Sequence, residues 1–234
     1  MIDFHSHFLP GLDDGSQSVE ESLEMLALSW EKGVDRIVAT PHFYASREAP
    51  DHFLARRERA WEQLAAVLPE EVPSIWLGAE VYYYTGISHT EDLDSLCIGG
   101  TNVLLLEMPF HRWSASMIEE AIDIARGSGL TVLMAHIDRY LPDQTPDTWE
   151  RLRDNGILFQ VNASYFLDGW SSRHKALKLL REGQIEVLGS DCHNMTSRRP
   201  NLAEALAVIE KRPVRRRLTG WRRTRCVCWK GEQQ

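Results

Sequence analysis

The chain has no apolar run approaching the roughly 18 residues a membrane-spanning helix needs, so no integral membrane segment is expected. Cysteine is scarce. The four present (Cys97, Cys192, Cys226 and Cys228) form no disulfide framework, and a reducing cytoplasm is the simplest compartment. The opening M-I-D-F-H-S-H-F-L-P-G lacks the basic stretch and apolar run of a secretory signal. No internal repeat or low-complexity stretch stands out. Basic residues are few over most of the length: residues 1–210 carry 17 Lys and Arg against 33 Asp and Glu. Such an acidic body excludes general nucleic-acid binding and suits a cluster of cation ligands. Residues 211–234 reverse the sign, with nine Lys and Arg against one Glu. At 234 residues, 43% hydrophobic and 26% charged, the chain is long enough for one domain with a sizeable core. We divide it into a body, 1–210, and a basic C-terminal tail, 211–234.

Short apolar runs alternate with helical patterns. Strands are predicted at Ile2–His5, Arg36–Thr40, Ser74–Glu80, Val103–Glu107, Thr131–His136, Ile157–Asn162 and Ile185–Gly189. Most are apolar at consecutive positions, as in strands covered on both faces. Helices are predicted over Val19–Lys32, capped by Ser18 with Glu21 completing a capping box, and over Asp51–Leu68. Others start at Ser114 or Ser116, at Thr145-Pro146, and near Arg173 and Leu202. Seven strands alternating with helices predict parallel βα units, in which chemistry collects at the carboxyl ends of the strands.

Six of those seven ends carry imidazole or carboxylate. They read His5-Ser6-His7 with Asp13-Asp14 following, Pro41-His42, Ala79-Glu80, Leu106-Glu107, Ala135-His136 and Asp191-Cys192-His193; the sixth strand ends in Val161-Asn162. Brought to one face, His5, His7, His42, Glu80, Glu107, His136, Asp191 and His193 would be costly to bury without cations. Mixed nitrogen and oxygen donors suit Mn, Fe or Zn, and their number exceeds what one ion needs. His5 and His7 lie two apart on an extended segment, so both can reach one ion, and Asp191-x-His193 repeats that spacing.

The ordered set resembles the PHP (polymerase and histidinol phosphatase) superfamily. M-I-D-F-H-S-H-F-L-P-G-L-D-D-G-S, V-A-T-P-H, G-A-E-V-Y-Y, L-L-E-M, A-H-I-D-R-Y, V-N-A-S and S-D-C-H-N resemble its bacterial capsule and exopolysaccharide tyrosine-protein phosphatase branch, over about residues 1–210. The resemblance implies a distorted (β/α)7 barrel and metal-dependent hydrolysis of phosphotyrosine. It implies two or three divalent ions, Mn first and Fe or Zn as alternatives. His5, His7, Glu80 and Asp191 would hold one ion, Asp14, His42 and His193 a second, and Glu107 and His136, with Glu80 bridging, a third. Asp13 would only shape the turn. Arg139 and Arg198 would contact phosphate, although Arg199 precedes Pro200 where the family has proline directly after its arginine. The implied partner is the phosphotyrosine-containing tail of a bacterial tyrosine kinase that controls polysaccharide export. The alternative is a small phosphate ester such as histidinol phosphate. Beyond about Lys211 the chain departs from the family's usual ending.

Other positions are weaker candidates. Tyr82, Tyr83, Tyr84, Phe110 and Trp113 could line the pocket mouth, with packing as the simpler role. His52, His89, His111 and His174 fall off the strand-end pattern and are expected at the surface. Cys192 and Arg198 formally satisfy the C-x5-R spacing of cysteine-dependent tyrosine phosphatases. The intervening residues lack phosphate-cradling glycines and the neighbours are ligand candidates, so a thiol mechanism is not expected.

Overall fold

A computed structural model describes residues 1–211. The fold is α/β, and every strand pair is parallel. In chain order the elements are β1 (Ile2–Ser6), α1 (Val19–Glu31), β2 (Arg36–Ala39), β3 (His42–Phe43), α2 (Pro50–Ala65), β4 (Ser74–Leu77) and β5 (Glu80–Tyr82). There follow β6 (Val103–Glu107), α3 (Ala115–Gly127), β7 (Thr131–Met134), α4 (Pro146–Asp154), β8 (Leu158–Asn162), α5 (Ser164–Leu167), α6 (Trp170–Arg181), β9 (Val187–Gly189) and α7 (Leu202–Glu210).

The strands form two sheets, ordered β1-β2-β4 and β3-β5-β6-β7-β8-β9. Two predicted runs meet a break. The run 74–80 divides at Gly78-Ala79 into β4 and β5, and β2 resumes as the unpredicted β3 after Thr40-Pro41. Pro41 has no N–H for a ladder but still accepts from the Glu80 backbone N–H at 3.0 Å, which joins the two breaks. The sheet curls until its ends meet. The Asp191 N–H donates to the His5 carbonyl at 2.8 Å, and the His7 N–H donates to that of Cys192 at 2.9 Å.

Two glycines permit close approaches at this seam. A Cβ on Gly189 would lie 2.4 Å from the His5 Cβ, and one on Gly15 would lie 2.1 Å from the His7 carbonyl oxygen. The helix caps follow the sequence. Ser18 accepts from the Glu21 N–H at 3.2 Å, but the Glu21 carboxylate reaches back to the N–H of Gln17, one residue before the cap. Ser114, not Ser116, caps α3, and Thr145 caps α4 ahead of Pro146.

A small apolar cluster (Val38, Ile98, Val103, Leu105, Leu133, Ala135 and Val187) packs apart from the larger core that includes the helices. Its strand members alternate with residues of that core, as Val103 and Leu105 do with Leu104 and Leu106, which places it on the opposite, inner face of the sheet. Glu107 continues the inward alternation of Val103 and Leu105. The polar strand ends therefore cap this inner cluster. Among the described residues no helix is long and apolar enough to cross a membrane.

Candidate metal centre

Glu80, fully buried, is the hub. Its Oε1 accepts from His136 Nε2 at 2.8 Å, and its Oε2 lies 3.1 Å from His5 Nε2, 3.3 Å from His7 Nε2 and 3.0 Å from His42 Nδ1. Oε2 makes no hydrogen bond, nor do the buried His42 Nδ1 and His193 Nε2. Unpartnered buried donor and acceptor atoms facing one another are costly, and a cation among them would satisfy all at once. The residues present therefore fit divalent metal.

Three sets of donor atoms are each close enough to share an ion: His5, His7 and Glu80; His7, Asp14, His42 and His193; and His42, Glu80 and Glu107. Asp191 Oδ1 stands 3.6 Å from both His5 Nε2 and His7 Nε2. Glu107 Oε1 is 3.4 Å from His136 Nε2. Asp14, on the exposed edge, places Oδ1 3.4 Å from His42 Nε2 and 3.5 Å from His193 Nε2. All nine expected ligand positions thus lie in one connected cluster. His7 and His42 each bridge two sets, a sharing absent from the expected grouping.

Outer residues aim the imidazoles. His5 Nδ1 meets Gln160 Oε1 at 3.1 Å, and His7 Nδ1 meets Asp13 Oδ2 at 2.8 Å, so each Nε2 faces inward. Asp13 also accepts from the backbone N–H groups of His42 and Gly15, both at 2.9 Å. It is more than a turn residue, because it holds one candidate ligand ring and the backbone of another. Gln160 Oε1 accepts in addition from the His136 N–H at 2.6 Å. Its amide donates to Asn162 Oδ1 at 2.9 Å, and Asn162 Nδ2 donates to Asp191 Oδ2 at 2.8 Å. The strand-end pattern does not single out Gln160. Its signal was a polar residue inside the apolar run L-F-Q-V-N, two before Asn162 on the same strand face.

His136 and Asp191 are the two non-glycine residues with positive φ among the described residues, at 28° and 52°. Strain of this kind persists only where surrounding contacts enforce it. Here Gln160 holds the His136 backbone and Asn162 the Asp191 side chain.

The electrostatics match donors awaiting cations. Burial opposes charge on His7, yet Asp13 and Glu80 raise it to about 10. Burial likewise opposes charge on His136, but hydrogen bonds to Glu107 and Glu80 raise it to about 9. Burial and the neighbouring His7 lower His193 to about 3, which keeps it neutral; its Nδ1 donates to the Asp191 carbonyl at 3.0 Å. Burial resists ionisation of Asp191, but His5 and Arg139 hold it well below the usual carboxylate range.

Arg139 and Arg198, each about one-third exposed, reach Asp191 from the rim at 2.5 and 2.7 Å. Arg199 is exposed. Cys192 is fully buried, and burial, with Asp3 and Asp191 nearby, pushes its thiol far above the ordinary range, so it is no thiolate nucleophile. Tyr83 and Trp113 are buried, bonded to Glu120 and to the Pro109 carbonyl; Tyr84 bonds Thr90. Tyr82 packs near Tyr44, which lies 5.4 Å from the His42 ring. Phe110 is half-exposed beside His136. His52, His89, His111 and His174 are at the surface.

Comparison with known proteins points to one family. The chain is 30% identical over 225 residues to the tyrosine-protein phosphatase CpsB of Streptococcus pneumoniae, covering 91% of this chain and 90% of that protein. It is 28% identical over 222 residues to the tyrosine-protein phosphatase YwqE of Bacillus subtilis, covering 90% and 84%. One chain from the crystal structures of YwqE from Bacillus subtilis and CpsB from Streptococcus pneumoniae, described as unique metal-dependent tyrosine phosphatases, superposes with a TM-score of 0.78 at 25% identity, covering 94% of this chain and 91% of that one. Residues 1–219 match the capsular polysaccharide synthesis family CpsB/CapC, a span that runs past residue 210, and the chain belongs to that family.

Proposed function

We propose that the chain is a metal-dependent protein-tyrosine phosphatase of capsular or extracellular polysaccharide synthesis. The observation that carries this reading is the buried Glu80 carboxylate amid four imidazoles, with an oxygen that no proton donor satisfies. His5, His7, Asp14, His42, Glu80, Glu107, His136, Asp191 and His193 would hold two or three divalent ions, with Mn first and Fe or Zn fitting the same donors. Counting β2 with β3 and β4 with β5 as single interrupted staves gives the distorted (β/α)7 barrel. We take residues 1–210 as the phosphoesterase unit, in the cytoplasm, and 211–234 as a basic appendix; residues 212–234 lie outside the described structure.

When bound, the cations supply Lewis acidity, lowering the pKa of an attacking water and offsetting phosphoryl charge. The protein does the rest. Arg139 and Arg198 stand at the rim, where their guanidinium forks suit phosphoryl oxygens, and Asp191 aims both. Asp13 and Gln160 keep His7 and His5 with Nε2 inward. The phosphotyrosine tail of a bacterial tyrosine kinase is the proposed substrate.

The test is turnover of a phosphotyrosyl peptide beside histidinol phosphate, with metal content measured on the same sample. Chelation should abolish turnover and manganese should restore it, while thiol alkylation leaves it unchanged because Cys192 and Cys97 are buried. Full turnover by metal-stripped protein, or faster turnover of histidinol phosphate, would overturn the reading.

A further inference from the structure

Large apolar side chains are mostly buried here, and Phe110, 52% exposed, is an exception at the site. Its exposure is built in, because the loop that carries it is pinned on both sides. The Pro109 carbonyl accepts from the His111 N–H and from Trp113 Nε1, both at 2.9 Å. The Met108 N–H donates to the Tyr140 hydroxyl at 3.0 Å, and Gln144 bonds both the His111 carbonyl and the Trp113 N–H. A loop held this tightly presents the ring in one place.

That place is the edge of the donor cluster. The Phe110 ring stacks on His136, with centroids 5.7 Å apart and planes 23° apart, and rests against Tyr140 at 5.5 Å. The Arg139 guanidinium carbon stands 5.9 Å from its centroid, while the same guanidinium bonds Asp191. Phe110 is thus flanked by His136, Tyr140 and Arg139 yet keeps half its surface exposed, and the ring borders both a candidate ligand and a candidate phosphate-binding arginine. The other aromatic group at the mouth is differently placed. Tyr44 is covered by the Arg47 guanidinium at 4.3 Å, with Tyr82 and His42 at its sides.

We propose that Phe110 is a specificity-determining residue, the wall on which the aryl ring of an aromatic phosphoester stacks while its phosphoryl group sits at Arg139 and the donor cluster. This rests on the phosphatase reading and deepens it. In an aryl phosphate only the ester oxygen separates phosphorus from the ring, so a phosphoryl group held at Arg139 leaves its ring within stacking range of the side chain beside that arginine. Offset or edge-on aromatic pairs form with centroids about 4.5–7 Å apart. An alkyl phosphate has no such ring and gains nothing from the wall.

The experiment compares the wild type with Phe110→Ala, Phe110→Leu and Phe110→Trp in the metal-loaded full chain. The ratio of kcat/KM for phenyl phosphate to that for glycerol phosphate is measured, with metal content and thermal stability as controls. Phe110→Ala should lower the aryl-to-alkyl ratio about tenfold, mainly through the KM for the aryl ester. Phe110→Leu should restore little of that loss and Phe110→Trp most of it. An unchanged ratio in Phe110→Ala, or full rescue by Leu, overturns the proposal. A second arm measures binding of phenylphosphonate and methylphosphonate. A phenyl preference lost in Phe110→Ala supports the wall even if no phosphotyrosine is turned over, which would defeat only the phosphatase reading. Equal affinities in the wild type would defeat the wall alone.

Discussion

β1 and β8 use the same two-residue spacing for opposite chemistry. β1 and its continuation offer His5 and His7, whose Nε2 atoms stand 3.0 Å apart at the hub. β8 offers Gln160 and Asn162, whose side chains hydrogen-bond each other, His5, the His136 backbone and Asp191. All four side chains are buried. Imidazoles can surrender a proton and present a lone pair to a cation, whereas primary amides stay neutral and divide their two ends between donating and accepting. Gathering so many donors requires both kinds of strand, because a ring that can rotate is a poor ligand. The one strand end without a candidate ligand therefore belongs to the centre as its alignment rail.

The largest effect should come from the histidine strand. His5→Ala removes a donor at the Glu80 hub and should lower phosphatase kcat by at least about a thousandfold, within the range over which metal-assisted activation operates. Metal analysis should show less bound ion per chain. Full metal content with full activity would show that the hub is structural, and the contrast with β8 would disappear.

The histidine strand is also the more legible one. His5-Ser6-His7 stood at the end of an apolar run, and the run itself announced where the strand stopped. The same logic located His42, Glu80, Glu107, His136, Asp191 and His193, because a parallel fold delivers its strand ends to one face. Two things were not legible. Pro41 and Gly78 mark where the breaks at Thr40-Pro41 and Gly78-Ala79 fall, but that β3 and β5 resume after them depends on how neighbouring strands share hydrogen bonds around the curl. The role of Gln160 depends on a contact across 155 residues, to His5, and that of Asp13 on how its own short turn folds. An amide looks alike whether it solvates a loop or steers an imidazole. Asp13 lay in plain view as half of a pair, but only the folded turn, closed by Gly15 against His7, shows which carboxylate faces His7 Nδ1.

The amide strand predicts a smaller, more selective effect. Gln160→Leu keeps the size of the side chain, but His5 Nδ1 and the His136 N–H lose their shared acceptor. Metal affinity, measured by chelator competition, should fall about 10- to 100-fold, as for other residues that orient metal ligands. Circular dichroism should show the fold retained. Gln160→Glu supplies an acceptor again and should recover part of the affinity. An affinity unchanged in Gln160→Leu would reduce β8 to a packing element.

Acidity separates the imidazoles from the amides of β8, because imidazoles titrate and amides do not; His7 follows β1 and His136 follows β7. In the metal-free protein His7 rises to about 10 and His136 to about 9, held up against burial by Asp13, Glu80 and Glu107. Both folded values lie above the ordinary 6.5 of the unfolded chain, so the stability these protonated rings confer is fully present below about pH 6.5 and is lost as pH rises through 9 to 10. A cation needs the lone pair that each proton occupies, so loading near neutral pH must release both protons. Apparent metal affinity should therefore climb with pH, about tenfold per unit for each proton displaced, and level off above pH 9 to 10. Calorimetry in buffers of different ionisation enthalpy would count the protons directly. His7→Gln should remove one of them, whereas Asn162→Leu, which alters a neutral rail, should shift the affinity curve downward without changing its slope. A flat affinity between pH 6 and 9 in the wild type would mean that the cations seat away from His7 and His136, and that the difference between the two strands is one of shape alone.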